Sequence, residues 1–556
     1  MIFVRQAKII TFLSHNILLW KLQKHIHLEN LSSITHNVTI PTKYALLSVS
    51  DKSGIAEFAE TLHSLGFTII STGGTAKTIS ESGVQVTPIQ EITGNLESFD
   101  GRMKTISFQV EGGILFDRSN ATHVKEAKKL KVPNIEIVVA NLYPFEKTTS
   151  DPSVKLEQAI ESIDVGGPTM VRSAAKNFRH VLVVIDPNDY GKVIEALKTD
   201  TITLELRQSL AAKAFDHLSF YDAQIARFLR KDQFPMELAL PGRKERTLRY
   251  GENPHQKAAV YVEPNTNSPL SHLQKLTGRD LSYVNFSDIA AGLESVRMFN
   301  QPATVVIKHN SPCGIALGKT AEESLRQAVA ADPESAFGGA IVLNRDIDLK
   351  AAETFAAFKQ EGEILIDIVA APHITDEAKE FIKKVRRSTG IYTFGDIPEK
   401  RSNSNHYRFF DGGFLVQDWE DQMKDFSNWK VVTKRKPTPA QLKQMQLAWQ
   451  FISRIRSNSI IVIDKKLPMT RGIGTGQTSR VRATRLALEQ AKEHAEGSIL
   501  ASDSFFPFDD SVKLAAKHGI KAIVEQGGSR NDQASIDAAD EAGIAMVFTG
   551  QRQFWH

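Results

Sequence analysis

Cysteine is almost missing: Cys313 stands alone among 556 residues. Neither an intrachain disulfide framework nor a CxxC metal site can be built from it, and a reducing, cytoplasmic setting fits best. A strong charge of either sign is missing too. The formal net charge of +4 gives no case for nucleic acid or a membrane surface as partner, although local basic patches for phosphorylated small molecules stay open. Long apolar runs are also scarce. The uncharged stretch at residues 9–20 is too short to cross a bilayer, and no small-residue cleavage site follows it. What is present is an ordinary globular balance, 41% hydrophobic and 24% charged, in a chain long enough for two or more domains.

Residues 1–42 differ from the rest, being rich in Ile, Leu and His with Glu29 as their one acid. An acid-poor composition is one mark of a targeting segment, but arginine is scarce. The segment reads as a disordered or loosely packed extension. Order begins at Lys43, where Tyr44 to Ser50 forms a strand pattern and Asp51-Lys52-Ser53-Gly54 a turn. An amphipathic helix from Ile55 to Leu65 and a second strand from Phe67 to Ser71 follow, and then Thr72-Gly73-Gly74-Thr75 opens another helix. Strand, loop and helix in repetition predict a parallel sheet. Both loops carry small hydroxyls and glycine at a strand-to-helix junction. Backbone N–H groups and hydroxyls there make a phosphate cradle, while an ordinary N-cap is the plainer reading of the same residues.

Further along come Asp100-Gly101-Arg102-Met103-Lys104-Thr105, Asn141-Leu142-Tyr143-Pro144-Phe145, Ile163-Asp164-Val165-Gly166-Gly167 and Ala174-Ala175-Lys176-Asn177. Arg172 and Lys176, four apart, share a helical face, either as a solvated face or as part of an anion site. In order and spacing these motifs resemble the IMP cyclohydrolase domain of the bifunctional purine-biosynthesis enzymes, built on a methylglyoxal-synthase-like fold. The resemblance implies phosphate and ribose contacts from Ser48, Ser50, Lys52, Thr72, Gly73, Thr75, Arg102, Lys104 and Thr105. It also implies catalytic or substrate-orienting roles for Lys104, Tyr143, Asp164 and Lys176. One stretch departs from the family. Where the commoner pattern after Lys-Thr runs Leu-His-Pro and then Val-His-Gly-Gly, this chain reads Ile106-Ser107-Phe108-Gln109-Val110-Glu111-Gly112-Gly113. Two imidazoles are absent, and a carboxylate stands in place of the second. Cyclisation needs little beyond positioning and charge stabilisation, so Lys104, Asp164 and Lys176 are expected to suffice.

A short mixed linker, Lys231-Asp232-Gln233-Phe234-Pro235, precedes a dense polar segment, Leu248-Arg249-Tyr250-Gly251-Glu252-Asn253-Pro254-His255-Gln256. The apolar run Val305-Val306-Ile307 then stops at Lys308-His309-Asn310-Ser311-Pro312-Cys313-Gly314. Three β-branched residues ahead of a turn predict a buried strand, with polar residues presented at a sheet rim of the kind where open α/β sheets place their sites. Histidine can take a proton near neutrality and an adjacent lysine can stabilise an oxyanion, but strand neighbours point apart, so both serve one site only if the chain is already turning. Two solvated polar residues at a strand end are the alternative.

Later pieces are Ser335-Ala336-Phe337-Gly338-Gly339, Asp367, Arg456-Ser457-Asn458-Ser459, Gly472-Ile473-Gly474-Thr475-Gly476-Gln477, Ser502-Asp503-Ser504-Phe505-Phe506-Pro507-Phe508 and Gly527-Gly528-Ser529. Gly472 to Gly476 lack dinucleotide spacing and serve either close approach to a ligand or tight packing. Phe505 to Phe508 read first as core. Together these resemble the transformylase domain of the same enzyme family, built from cytidine-deaminase-like α/β subdomains. The implied layout is an extension at 1–42, a cyclohydrolase domain at 43–236 and a transformylase domain at 237–556.

The implied chemistry joins the amine of aminoimidazole carboxamide ribonucleotide (AICAR) to the formyl carbon of 10-formyltetrahydrofolate, then closes formyl-AICAR to IMP. His309 would be the general base, Lys308 the oxyanion or leaving-group partner, and Asn458 an orienting group. Arg249, Tyr250, Asp367, Gln477, Arg480, Pro507, Phe508 and Arg552 would bind nucleotide and folate. The resemblance implies a homodimer and no metal requirement. The family usually ends Arg-His-Phe-Arg-His, and here the end reads Arg552-Gln553-Phe554-Trp555-His556. Two alternatives from other classes are a transformylase whose first domain only binds nucleotide, and a zinc nucleobase deaminase, whose usual ligand set one cysteine cannot supply.

Overall fold

A computed structural model describes residues 42–99, 101–362, 364–386, 388–420 and 425–556. The expected extension, up to residue 41, and Asp100 lie outside the described residues. The chain separates into two compact units, dividing between Lys231 and Asp232 within the polar linker. No helix among the described residues is long and apolar enough to cross a membrane.

The first unit is a five-stranded parallel sheet of β1 (Lys43–Val49), β2 (Phe67–Ser71), β3 (Val86–Pro88), β4 (Asn134–Asn141) and β5 (Leu182–Val184), in the order β3-β2-β1-β4-β5. Its strands read as apolar runs because helices cover both faces. Helices α1 (Ile55–Ser64), α2 (Gly73–Glu81), α3 (Phe108–Leu115), α4 (Gly166–Lys176) and α5 (Leu204–Leu229) include the ones that matter for the site. α1 buries Ile55, Phe58, Ala59 and Leu62, spaced so that one apolar stripe meets the sheet. The strand order reverses between β1 and β4. That reversal opens a crevice beyond their carboxyl ends.

The second unit repeats one plan twice. Its first sheet holds β8 (Gln274–Thr277), β9 (Ala303–Lys308), β10 (Ser311–Leu317), β11 (Ala340–Leu343), β12 (Ile368–Ala371) and β13 (Gly390–Thr393) in the order β10-β9-β11-β12-β13-β8. The second holds β16 (Lys430–Val431), β17 (Ile460–Ile463), β18 (Thr470–Gly474), β19 (Ile499–Ser502), β20 (Ala522–Glu525) and β21 (Ala545–Phe548) in the order β18-β17-β19-β20-β21-β16. In both, an antiparallel pair meets three parallel strands, and an antiparallel edge strand closes the far side. Two hairpins, β6 (Arg243–Thr247) with β7 (Ala259–Val262) and β14 (Asn405–Phe410) with β15 (Gly413–Asp418), stand outside these sheets.

Four helices of this unit recur below: α6 (Tyr283–Val296), α7 (Ala321–Ala331), α8 (Pro439–Ile452) and α9 (Arg480–Ala491). Side chains of α6, α8 and both sheets form one shared core, which fuses the two repeats. The repeats agree in detail. A Cβ on Gly314 of β10 would collide with the Ala328 carbonyl of α7, and one on Gly472 of β18 with the Ala487 carbonyl of α9. Glycine lets each strand press against its helix backbone. Tight packing is therefore the role of Gly472 and, against the Ala483 carbonyl, of Gly474.

Candidate active sites

In the first unit, the crevice between β1 and β4 gathers most of the residues expected there. The Asn141 side-chain oxygen accepts from the backbone N–H groups of Ser50 (2.6 Å) and Asp51 (2.8 Å), and its amide donates to the Asp51 carbonyl (3.0 Å). Three bonds from one side chain fix the β1 loop against the end of β4. Ser48 and Thr72 hydroxyls meet at 3.0 Å across the ends of β1 and β2. Thr75 is buried, its hydroxyl accepting from Val49 N–H (3.1 Å) and donating to the Val49 carbonyl (2.9 Å). It braces the loop. Gly73 takes a positive φ of 43° at the start of α2, and the Lys52 side chain lies over that helix start, beside Gly74. A helix N-terminus with an ammonium above it favours an anion.

Arg102 pairs with Glu161, and Lys104 with Glu97 at 2.8 Å. Thr105 is buried against Gly166 at the start of α4. Asp164 sits at the same place, its carboxylate accepting from Gly167 N–H at 2.9 Å. Burial raises its pKa, and backbone N–H bonds from Gly167, Tyr143 and Gly166 oppose the rise. Thr105, Tyr143 and Asp164 are thus brought to one helix start, and Lys104, paired with Glu97, is the chain neighbour of Thr105.

Lys176 is not brought there. It ends α4, about 15 Å of helix rise from Gly166, and lines a separate cavity of about 660 Å³ with Arg172, Ser173 and Phe215. The departing stretch belongs to that neighbourhood as well. Ser107 caps α3 by accepting from Val110 N–H (3.1 Å), and Glu111 accepts from the Ser173 hydroxyl at 2.5 Å. Burial raises the Glu111 pKa. The carboxylate that replaces an imidazole is spent on α4, away from Asp164.

In the second unit, Lys308 ends β9 and Ser311 begins β10, so His309 and Asn310 alone make the hairpin turn. Both have positive φ, 53° and 60°, as a two-residue turn of this hand requires. The chain is therefore already turning at the Lys-His pair, and the two side chains need not point apart. Lys308 donates to the Phe337 carbonyl at 2.7 Å. Asp367 pairs with Arg279 at 2.5 Å, and its N–H donates to the Gly339 carbonyl at 3.0 Å. Arg249 reaches the Tyr250 hydroxyl (3.0 Å) while its backbone is tied to Leu281. Lys308, His309, Arg249, Tyr250 and Asp367 occupy one rim.

The expectation about which rim needs correction. β9 runs antiparallel to β11, so its end at Lys308 lies at the amino ends of the parallel strands, not at their carboxyl ends. A hairpin entering the sheet reverses the usual geometry.

The second sheet keeps the usual geometry, with its cluster beyond β19 and β20. Arg480 is buried, bonded to Asp503, to the Ser502 hydroxyl (2.9 Å) and to the Asn458 side-chain oxygen (2.7 Å). Asn458 donates to the Gln477 carbonyl at 2.9 Å. Asp503 accepts from Ser459 N–H (2.9 Å), as Asn344 accepts from Ala303 N–H (2.8 Å) in the first repeat. Pro507 accepts from the Asn531 amide (2.7 Å), Phe508 is exposed and Phe506 is core. The Phe505–Phe508 stretch therefore divides between core and surface. Arg552 lies over the Phe554 ring at 4.7 Å. Gln553 is buried with its N–H on the Asp503 carbonyl (2.8 Å), and Trp555 stacks with His406. The terminal departures are packing residues.

Two carboxyl groups escaped the sequence reading. Asp288 on α6 accepts from Asn310 N–H at 2.7 Å, and burial raises its pKa to about 6. Fully buried Glu525 at the end of β20 is raised to about 8 by the same cause. Each stands at the edge of an apolar stretch, Asp288 between Ser287 and Ile289 and Glu525 between Val524 and Gln526, so the neighbouring residues carried little signal of burial.

A family model described as AICARFT/IMPCHase bienzyme matches residues 174–490, and one described as an MGS-like domain matches 54–169. The relative from Persephonella marina, named bifunctional purine biosynthesis protein PurH, is 43% identical over 92% of this chain and 99% of its own length. The chain belongs to the PurH family. PurH proteins of Oceanobacillus iheyensis (42% identical, covering 93% of this chain and all of the relative) and Acetivibrio thermocellus (43%, 92% and all) agree. The five-stranded parallel unit is thus the MGS-like domain of a PurH chain, and the duplicated unit carries most of the AICARFT/IMPCHase match.

Proposed function

We propose that the chain carries out both final steps to IMP, the activities that the name of its family couples. The observation that carries the reading is the Lys308-His309 hairpin, a base and a cation held at one turn, with Lys308 on the Phe337 carbonyl and Asp367 bonded to Gly339 of the same segment. His309 removes the proton as the AICAR amine forms its bond to the formyl carbon of 10-formyltetrahydrofolate. Lys308 stabilises the tetrahedral oxyanion and supplies a proton to the departing folate nitrogen as the carbon–nitrogen bond breaks. Arg249, Tyr250, Asp367, Gln477, Arg480, Pro507, Phe508 and Arg552 position nucleotide and folate, with Asn458 orienting the reacting groups. The formylated product closes in the domain at 43–236: its carboxamide nitrogen attacks the formyl carbon and water leaves. Lys104, Tyr143 and Asp164 hold and polarise it there, over a cradle of Ser48, Ser50, Lys52, Thr72, Gly73, Thr75, Arg102 and Thr105. Lys176, standing apart in one chain, is assigned to the same step on resemblance alone. The protein is proposed to act as a cytoplasmic homodimer.

The test separates the two steps by substitution. His309→Ala is expected to cut tetrahydrofolate release by at least about 100-fold while ring closure of supplied formyl-AICAR persists. Lys104→Ala should do the reverse. Tetrahydrofolate release that survives His309→Ala would refute the assignment of the base.

A further inference from the structure

Asp288 has no part in the chemistry just described, yet it is the carboxylate bound to the turn that carries His309. It lies one and a half turns into α6, is 5% exposed, and accepts from Asn310 N–H at 2.7 Å. The bond anchors the second of two consecutive left-handed residues, neither of them glycine. Without an anchor such a turn has no reason to hold one geometry. A neutral amide in place of the carboxylate would accept the same N–H and avoid the cost of a buried charge. The charge therefore calls for a use beyond anchoring.

The groups facing Asp288 supply one. The His309 imidazole is close enough for its positive charge to act on the Asp288 carboxylate. On the same hairpin, buried Cys313 senses Asp288, Lys308 and, from beyond α7, Asp332. Lys308 is engaged by the Phe337 carbonyl and Asp332 caps a helix by accepting from Ser335 N–H. Asp288 is the carboxylate placed on the His309 turn itself.

We propose that Asp288 is a positioning residue for formyl transfer, fixing the hairpin turn and stabilising the imidazolium that forms when His309 takes the amine proton. This rests on the reading of His309 as the base. The carboxylate must be ionised to act, and burial keeps its proton on up to about pH 6. Formyl transfer then weakens below that pH as Asp288 takes up its proton.

Two substitutions separate anchoring from charge. Asp288→Asn keeps an acceptor for Asn310 N–H, and Asp288→Ala removes acceptor and charge together. Steady-state formyl transfer is measured for the full chain from pH 5 to 9, beside His309→Ala, with thermal unfolding as the check of fold. Asp288→Asn is expected to lower kcat by roughly 10- to 100-fold with KM for AICAR within about threefold. The part of the acid limb near pH 6 that belongs to the Asp288 carboxylate should be lost with it. Asp288→Ala should lose more. Wild-type kcat and an unchanged acid limb in Asp288→Asn would overturn the proposal, as would an effect confined to KM. If His309→Ala keeps its activity, the base assignment fails first; if only Asp288→Asn is silent, the base stands and the positioning role falls.

Discussion

At the scale of single residues, burial raises the pKa of several carboxyl groups, Asp288 and Glu525 among them. Glu525 shows the consequence for stability. Its pKa of about 8 in the fold stands above the 4.5 of a free glutamate. Between those values the folded state keeps a proton that the unfolded chain has released. Stability is then full below about pH 4.5 and falls as pH rises towards 8, by up to about 1.4 kcal/mol per pH unit. Glu525→Gln is expected to flatten this fall, read as unfolding midpoints at pH 5, 6.5 and 8. Equal pH dependence in both proteins would refute a proton held at Glu525. Residues of this kind were hidden in the sequence because a carboxyl with one apolar and one polar neighbour looks the same whether it faces solvent or core. Lys308 and His309, by contrast, stood out by type, and only their shared turn required the structure.

At the scale of elements, strands announced themselves, and their parallel direction was legible in the first unit but not for β9 in the second. The run Val305-Val306-Ile307 marks β9, and Phe67 to Ser71 marks β2 with the same ends. That β9 enters antiparallel depends on pairing with β11, and pairing is set by distant residues. The rim occupied by His309 was therefore misread, although the strand was found. The glycines of β18 were ambiguous for a related reason, since a close approach to a helix and a close approach to a ligand need the same missing Cβ. Gly472→Ala drives a methyl into the Ala487 carbonyl. The expected cost is about 1–3 kcal/mol or more, read as a lowered unfolding midpoint, and an unchanged midpoint would contradict the packing role. The tail carries a similar lesson. Gln553 and Trp555 depart from the usual family ending yet are seated, with the Ser457 N–H donating to the Trp555 carbonyl at 2.9 Å. Their side chains repack a contact and leave Arg552 exposed.

At the scale of the whole molecule, the sequence motifs placed two domains in the right order, whereas the subdivision of the second came only from the family resemblance and its strand-by-strand duplication from the structure. The two repeats share strand order, helix contacts and even the Asn344 and Asp503 braces, but not residues. Polar braces and small-residue contacts can be met by different side chains, so the plan persists where identity does not. The candidate residues lie at the amino-end rim in one repeat and at the carboxyl-end rim in the other. In the first unit, the departing stretch from Ile106 to Glu111 folds into α3, with Glu111 bound to Ser173 and the start of α4 intact around Asp164. Ring closure should therefore survive the loss of both imidazoles.

The most direct test supplies the full chain with AICAR and 10-formyltetrahydrofolate and follows tetrahydrofolate release and IMP formation as separate signals, each against the uncatalysed background. The expected result is that IMP rises with tetrahydrofolate and no formylated nucleotide accumulates. Accumulation of formyl-AICAR, with tetrahydrofolate still released, would show a first domain that binds nucleotide without closing the ring, and would contradict the central claim that both steps belong to this chain.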